Sequence, residues 1–251
     1  MNDGKKIYFL ADAHLGSRLV KNPREHEQKL VNWLEFVRKD AQAIYLLGDI
    51  FDFWFEYKTV VPKGFVRFLG KLAELTDEGI EIHFFTGNHD IWTFGYLENE
   101  IGLIVHREPC TLRLGNKQFF LAHGDGLYED GLGFRIIKTI FHNRFAQKLF
   151  SWLPPQWGQT FGYSWSKRNR EKILPLENKY LGEDKENLVL FAKDYAAHHD
   201  VDFMVFGHRH IALDLQLKHK KRVIILGDFI GIFSYGVFDG EDFWLEYYPS
   251  K

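Results

Sequence analysis

The chain has 251 residues, enough for the core of one large domain that carries an inserted subdomain. Hydrophobic residues make up 45% and charged residues 26%, which is typical of a folded globular protein and excludes a disordered one. The formal net charge is -2, so no overall positive field attracts nucleic acid, and we predict no nucleic-acid partner.

The cysteine content and the apolar runs limit where the protein can work. Cys110 is the only cysteine, which excludes an internal disulfide and a thiolate metal site and fits a reducing compartment. The first apolar run, residues 7–11, is too short for a signal peptide or a membrane span, and no later run is long enough. We therefore expect a cytoplasmic protein that is free in solution or rests on a membrane surface.

The first third of the chain alternates between strand and helix patterns. Wholly apolar runs at residues 7–11, 43–47 and 80–85 predict strands buried on both faces. Between them, residues 24–39 and 65–75 carry apolar side chains at helical spacing. This order predicts parallel βαβ units, in which ligands bind at the carboxyl ends of the strands.

The pattern changes after residue 104. Residues 111–114 and 118–122 predict a hairpin around a Gly115-Asn116 turn. Five later runs predict strands at residues 202–206, 212–217, 222–226, 234–238 and 243–248. We predict an α/β fold with one domain over residues 1–251, in which two mixed sheets form a sandwich with flanking helices.

One stretch, which we call the insertion, covers residues 132–172 and differs in composition. Glu171 is its only acidic residue. Pro154-Pro155 interrupts it, so two helical arms are predicted. Its basic residues are Arg135, Lys138, Arg144, Lys148, Lys167, Arg168, Arg170 and Lys172. Its aromatic residues are Phe134, Phe141, Phe145, Phe150, Trp152, Trp157, Phe161, Tyr163 and Trp165.

Polar side chains follow five of the predicted strands directly. The seven candidate metal ligands are Asp12, His14, Asp49, Asn88, His123, His208 and His210. These oxygen and nitrogen donors suit Mn²⁺, Fe²⁺ or Zn²⁺, and seven are too many for one open catalytic ion. Two ions are therefore predicted, with Asp49 as the bridging carboxylate, a centre able to activate water against a phosphoryl group. Gly227-Asp228 also follows a strand, but we predict no functional role for it.

The five segments Asp-x-His, Gly-Asp, Gly-Asn-His-Asp, His-Gly-Asp and Gly-His-x-His resemble the five blocks of the calcineurin-like metallophosphoesterases. The resemblance implies a four-layer αββα sandwich and a dinuclear site. It also implies that His89 acts as general acid or electrostatic helper, oriented by Asp90, so that Asn88, His89 and Asp90 form the catalytic block. The ligand sets it implies are Asp12, His14, Asp49 and His210 for one ion, and Asp49, Asn88, His123 and His208 for the other.

Within this superfamily the chain looks most like the UDP-2,3-diacylglucosamine hydrolases of lipid A synthesis. The resemblance rests on the aromatic run after Asp49, the acidic pair Glu129-Asp130 and the insertion in the place of a helical lid. It implies Mn²⁺-dependent hydrolysis of a nucleotide-linked acylated sugar to UMP and lipid X, at the cytoplasmic face of the inner membrane. The substrate contacts it implies are Asn88, His89, Asp130, Phe141, Arg144, Ser166, Arg170 and His208.

Two departures from that family leave the substrate open. His89 stands where its best-known members carry arginine, and the polar residues of the lid helix match only in part, with Arg170 as a replacement phosphate contact. A related pyrophosphatase or phosphodiesterase on another nucleotide or lipid-linked substrate therefore remains an alternative. Further alternatives are a nuclease, a cyclic-nucleotide phosphodiesterase, a phosphoprotein phosphatase, and a non-catalytic metal-bound module at a membrane surface.

Overall fold

A computed structural model describes residues 4–128, 131–177 and 179–249. The helices are α1 (Pro23–Val37), α2 (Val66–Asp77), α3 (Tyr96–Asn99), α4 (Leu132–His142), α5 (Arg144–Phe150), α6 (Pro155–Glu177) and α7 (Asn187–His198), with a 3₁₀ turn at Lys218–Lys220. The strands are β1 (Lys6–Leu10), β2 (Ala41–Leu47), β3 (Glu81–Phe85), β4 (Ile104–His106), β5 (Cys110–Leu114), β6 (Lys117–Ala122), β7 (Phe203–Phe206), β8 (Ala212–Gln216), β9 (Arg222–Leu226), β10 (Ser234–Phe238) and β11 (Phe243–Tyr247).

The strands form two mixed sheets. The first has the order β11-β10-β1-β2-β3-β4, in which β1 to β4 are parallel and β10 and β11 are antiparallel neighbours. The second has the order β5-β6-β7-β9-β8, with a parallel centre of β6, β7 and β9. The predicted βαβ units, the hairpin and the later strands are therefore confirmed.

Three apolar layers hold four layers of structure together. Trp33 of α1 and Leu72 of α2 pack on one face of the first sheet. Phe9 of β1 and Phe119 of β6 stack between the sheets, with ring centroids 6.0 Å apart. On the outer face of the second sheet, Leu188 and neighbouring apolar residues of α7 cover β7 and β9. This arrangement is the predicted αββα sandwich, and it places the carboxyl ends of β1, β2, β3, β6, β7 and β9 at one edge.

The insertion consists of three helices, so the prediction of two helical arms was wrong. The first arm breaks at Asn143, whose side chain accepts hydrogen bonds from the backbone N–H groups of Phe145 and Ala146 and thereby caps α5. The break predicted at Pro154-Pro155 is confirmed, because α6 starts at Pro155. Proline is favoured at the first position of a helix, where its missing N–H would have no partner within the helix. Helix α6 continues to Glu177, five residues past the predicted boundary.

An aromatic cluster joins the insertion to the rest of the protein. Phe53, Phe55 and Trp92 form its buried part, and Phe141 and Phe150 of the insertion pack against it. The indole of Trp92 also donates a hydrogen bond of 2.9 Å to the carbonyl of Phe141. The aromatic residues after β2 thus anchor the helices of the insertion beside the polar edge of the sheets.

Candidate metal centre

The loops after β1, β2, β6 and β7 bring the candidate ligands together around two buried carboxylates. Asp12 lies at one side, where its Oδ1 is 3.6 Å from His14 Nε2 and 3.5 Å from His210 Nε2. Asp49 lies at the other side, where its Oδ2 is 3.4 Å from His123 Nε2 and 3.8 Å from His14 Nε2. The parallel strands therefore bring side chains that are almost two hundred residues apart in the sequence into one cluster.

The other two candidates lie at the edge of this cluster. The backbone N–H of His208 donates to Asp12 Oδ2 at 2.7 Å, and the His208 ring is 5.1 Å from the ring of His123. The side-chain oxygen of Asn88 is buried and makes no hydrogen bond within the described residues. The next residue, His89, donates its N–H to Asp49 Oδ1, so all seven candidates lie on loops that meet at the cluster, and their assignment as ligands remains a prediction.

Strained backbone conformations are concentrated in these loops. Ten non-glycine residues in the described part of the chain have positive φ. Five of them are candidate ligands, namely Asp12, His14, Asp49, His208 and His210. A non-glycine residue in this region costs on the order of 1 kcal/mol or more, so the surrounding contacts must hold these side chains in place.

Asp90 provides much of that support, and the prediction that it orients the His89 imidazole was wrong. Its buried carboxylate instead accepts hydrogen bonds from the backbone N–H groups of Gly87, Asp49, Ile50 and Phe51. The His89 Nδ1–H donates to the carbonyl of Asp52 at 2.8 Å. Burial, together with the negative charge of Asp49, raises the pKa of Asp90 to about 7.

The imidazoles of the cluster share one orientation. In His14, His89, His123 and His210, Nδ1 faces an oxygen outside the cluster and Nε2 faces a central carboxylate. Nδ1 of His123 donates to the Leu47 carbonyl at 2.8 Å. Nδ1 of His14 lies 3.6 Å from Asp52 Oδ1. Such outer contacts fix the tautomer of a metal-binding histidine and leave Nε2 as the donor atom.

His210 obtains its outer contact from Asp228, for which no role was predicted. Asp228 Oδ2 lies 3.4 Å from His210 Nδ1, while its Oδ1 accepts the backbone N–H groups of Ile230, Gly231 and Ile232. Although burial opposes ionisation, His210 and these N–H groups hold the pKa of Asp228 well below its usual range. The signal available in the sequence was its position after β9, at the same edge as the other blocks.

The donor set fits hard or borderline divalent cations. Three groups of donor atoms lie within 4.8 Å of one another: Asp12, His14 and His210; His14, Asp49 and His89; Asp12, Asp49 and His123. Within the described residues, Asp12 Oδ1, His14 Nε2 and His123 Nε2 are buried and make no hydrogen bond. Burial lowers the pKa of His123, yet Asp49 more than reverses this and holds it well above the ordinary value, which shows how strongly the cluster favours positive charge.

Comparison with known proteins identifies the family. Residues 5–212 match the model of the calcineurin-like phosphoesterases. The chain belongs to this family. UDP-2,3-diacylglucosamine hydrolase from Porphyromonas gingivalis is 47% identical over 253 residues, which cover 96% of this chain and 97% of the relative. The protein of the same name from Hamiltonella defensa is 30% identical over 80% of this chain and 76% of its own length.

One solved structure is similar to this chain at a lower level. It is a conserved uncharacterized protein from Streptococcus pneumoniae, described as a predicted phosphoesterase, with a TM-score of 0.44 and 11% identity over 98% of this chain and 94% of its own. The family membership makes the protein a metal-dependent hydrolase, as predicted from its motifs.

A close backbone contact explains the glycine before Asn88 in this phosphoesterase. A Cβ atom on Gly87 would collide with the carboxylate of Asp49. Gly87 also donates its N–H to Asp90 Oδ1 at 2.7 Å. The loop after β3 therefore packs its main chain directly against the loop after β2, which brings Asn88 close to Asp49.

A buried ion pair fixes the loop that carries His208 and His210. Arg209, which lies between them, donates from Nε to Glu186 Oε1 at 2.6 Å and from Nη2 to Glu186 Oε2 at 3.1 Å. Glu186 is fully buried at the start of α7. This two-point contact connects α7 to the metal-site loop of the phosphoesterase, and the sequence analysis did not predict it.

Asn88, His89 and His208 of the predicted substrate residues lie at the cluster, and three others with described side chains lie in the insertion. Phe141 is half-buried against Trp92, with ring centroids 5.0 Å apart. Arg144 is exposed at the first residue of α5, and Ser166 is buried on α6 with no hydrogen bond to its Oγ within the described residues. Asp130 and the side chain of Arg170 lie outside the described residues.

Proposed function

We propose that this protein hydrolyses the pyrophosphate of UDP-2,3-diacylglucosamine to UMP and 2,3-diacylglucosamine 1-phosphate (lipid X), a step of lipid A synthesis. The observation that carries the proposal is the cluster of carboxylate and imidazole donors around Asp12 and Asp49, beside an insertion that is both aromatic and basic. The 47% identity to a UDP-2,3-diacylglucosamine hydrolase over nearly the whole chain supports the choice of substrate.

Two divalent cations, which we propose to be Mn²⁺, would occupy the cluster. Asp12, His14, Asp49 and His210 would hold one of them. Asp49, Asn88, His123 and His208 would hold the other. When bound, such a pair supplies a nucleophilic hydroxide at neutral pH and neutralises charge on the phosphoryl oxygens.

The roles of the chain's own groups follow from their positions. His89 Nε2 lies 3.9 Å from Asp49 Oδ2 at the open side of the cluster, while its Nδ1–H is held by the Asp52 carbonyl. From there it can stabilise the negative charge that builds up on the leaving phosphate oxygen. Water adds to the α-phosphorus, the bond to the bridging oxygen breaks, and lipid X leaves with that oxygen. Asn88 and His208 would contact the phosphates beside it.

The insertion would bind the acylated sugar. Phe141 packs on Trp92 at the surface of the aromatic cluster, where an acyl chain could replace solvent. Arg144 supplies an exposed cation at the start of α5, and Ser166, Arg170 and Asp130 are further proposed contacts.

A comparison of substrates tests this proposal. With Mn²⁺, hydrolysis of UDP-2,3-diacylglucosamine should exceed that of an unacylated UDP-sugar by about 100-fold or more, because buried acyl CH₂ groups contribute about 0.8 kcal/mol each. Phe141→Ala and Arg144→Ala should lower only the rate on the acylated substrate, with bis(p-nitrophenyl) phosphate as the reference. Equal rates on both UDP-sugars would remove the lipid assignment and favour another nucleotide pyrophosphate.

We also propose that the α5–α6 turn rests on the inner membrane. Phe145, Trp152 and Trp157 are 71%, 73% and 68% exposed, which is high for aromatic side chains. The segment from residue 144 to 168 contains four basic residues and no acid. An aromatic and cationic surface of this kind suits the headgroup region of an anionic bilayer. None of the helices in the described ranges is long and apolar enough to cross a bilayer.

The double variant Trp152→Ser/Trp157→Ser should lose most of the binding to phosphatidylglycerol vesicles, measured by co-sedimentation, since each exposed indole contributes apolar area at the interface. Hydrolysis of bis(p-nitrophenyl) phosphate should not change. Phe36→Ser, which removes an exposed aromatic ring from α1 in another layer, is the matched control and should bind normally. Unchanged vesicle binding by the double variant would exclude the turn as the membrane contact.

A further inference from the structure

A cavity of about 200 Å³ lies beside the metal cluster, on the side of His123. The ends of β3, β4 and β6 form its floor, and α4 covers it. Gly87 and His123 are part of its wall, so the cavity borders the cluster directly. It is smaller than the clefts that enclose whole drug-sized ligands, which suits one ring system and not an entire substrate.

Helix α4 separates this cavity from the aromatic cluster. Lys138 and His142, four residues apart on one face of the helix, line the cavity. Phe141 is not part of its lining and packs on Trp92 instead. The metal cluster therefore has a polar compartment on one side of α4 and an apolar one on the other.

The charges in the cavity balance. Arg107 is paired with Glu98 outside the lining. Lys138 Nζ donates to the backbone carbonyl of Asp125 at 2.9 Å and to its carboxylate at 3.1 Å, and Glu108 adds one further acid. The lining thus provides hydrogen-bonding groups without a strong net charge. Such a lining fits an uncharged polar ring better than a bare phosphate.

One wall of the cavity is a rigid imidazole. The His106 ring stacks on Phe85, with centroids 4.4 Å apart, and its Nε2 lies 3.0 Å from His83 Nδ1. Tyr45 extends the same stack beyond His83, at 4.2 Å. The ring is therefore held in place before any ligand arrives, which reduces the entropy cost of binding.

We infer that this cavity binds the nucleoside half of the substrate, with its phosphate at the metal cluster. The inference rests on the proposed function and adds that the nucleoside and the acylated sugar bind on opposite sides of α4. The scissile bond lies at the cluster, so the two halves must extend from it in different directions. The sugar carries the acyl chains directly and needs the apolar side, which leaves the polar compartment to the nucleoside.

Binding of small ligands to the Mn²⁺-loaded protein tests the inference by calorimetry. Wild type should bind UMP at least about tenfold more tightly than inorganic phosphate or glucosamine 1-phosphate, equal to about 1.4 kcal/mol. His142→Trp fills the cavity from α4 and should remove this advantage. Ile136→Trp adds the same bulk on the opposite face of α4, where Ile136 is exposed, and should keep it.

Arg107→Trp narrows the cavity from the opposite wall and should also remove the preference for UMP. This second variant controls for a folding defect in the first. The affinity for inorganic phosphate should be the same in all these proteins, which would show that the metal cluster is intact. Equal affinity of wild type for UMP and phosphate, or equal losses in His142→Trp and Ile136→Trp, would overturn the inference. If UMP binding follows the expected pattern but acylated UDP-sugar is not hydrolysed, the proposed function fails while the nucleotide site stands.

Discussion

Asp49→Ala is expected to reduce hydrolysis of every phosphoester substrate by about 10³-fold or more, equal to at least about 4 kcal/mol of lost transition-state stabilisation. Asp49 Oδ2 lies within 4 Å of the imidazoles of His14, His89 and His123, so its loss affects both parts of the cluster. Its removal would eliminate the carboxylate that the two proposed cation positions share. Rates should be measured on acylated UDP-sugar and on bis(p-nitrophenyl) phosphate.

The fold should survive this change. The Asp49 carboxylate accepts a hydrogen bond from the His89 N–H, at 2.9 Å, while Asp90 holds the backbone of the same turn. Circular dichroism and the melting temperature should therefore resemble those of wild type. Asp200→Ala, an exposed aspartate before β7, is the control and should keep full activity. Appreciable turnover by a folded Asp49→Ala protein would rule out the dinuclear mechanism.

Glu186→Ala is expected to lower the free energy of unfolding by about 3 to 5 kcal/mol, because it leaves the Arg209 guanidinium without its buried partner. In a chain of this size the loss corresponds to roughly 10 °C in melting temperature. Since Arg209 lies between His208 and His210, metal affinity should also fall about 10-fold to 100-fold. Calorimetric unfolding and a Mn²⁺ titration measure the two effects separately.

Two further variants make this test specific. Lys193→Ala removes an exposed ion pair to Glu183 from the same helix and should change stability by less than about 0.5 kcal/mol. Glu186→Leu/Arg209→Met removes both charges and should recover much of the stability, because neither is left unpaired. A melting temperature of Glu186→Ala equal to that of wild type would show that the pair does not hold the loop.

The sequence was sufficient to predict the sheets and the location of the site. Strands such as β1 and β2 are buried on both faces, so their apolar runs are continuous, and the polar residue that ends each run marks the sheet edge. Parallel pairing then requires Asp12 and Asp49 to be neighbours. Helix α7 was missed although Leu188, Val189 and Ala192 have helical spacing, and β4 was missed because three residues carry no periodicity.

The contacts that support the site were not predictable in the same way. Asp228 and Glu186 act through His210 and Arg209, and those pairs depend on where distant loops lie after folding. The family resemblance implied that Asp90 orients His89, whereas its buried carboxylate accepts hydrogen bonds from the backbone N–H groups of the neighbouring loops. The break at Asn143 was likewise missed, because an asparagine cap within an apolar stretch was read as part of one helix.

Metal stoichiometry provides the most direct test of the dinuclear centre. The purified protein, reconstituted with Mn²⁺ and freed of excess metal, should contain two ions per chain by elemental analysis, and Asp49→Ala should contain fewer. Anomalous diffraction at the manganese edge should place one ion between Asp12, His14 and His210 and the other beside His123 and His208. A single ion per chain in a fully active wild-type protein, or ions bound away from these side chains, would contradict the account.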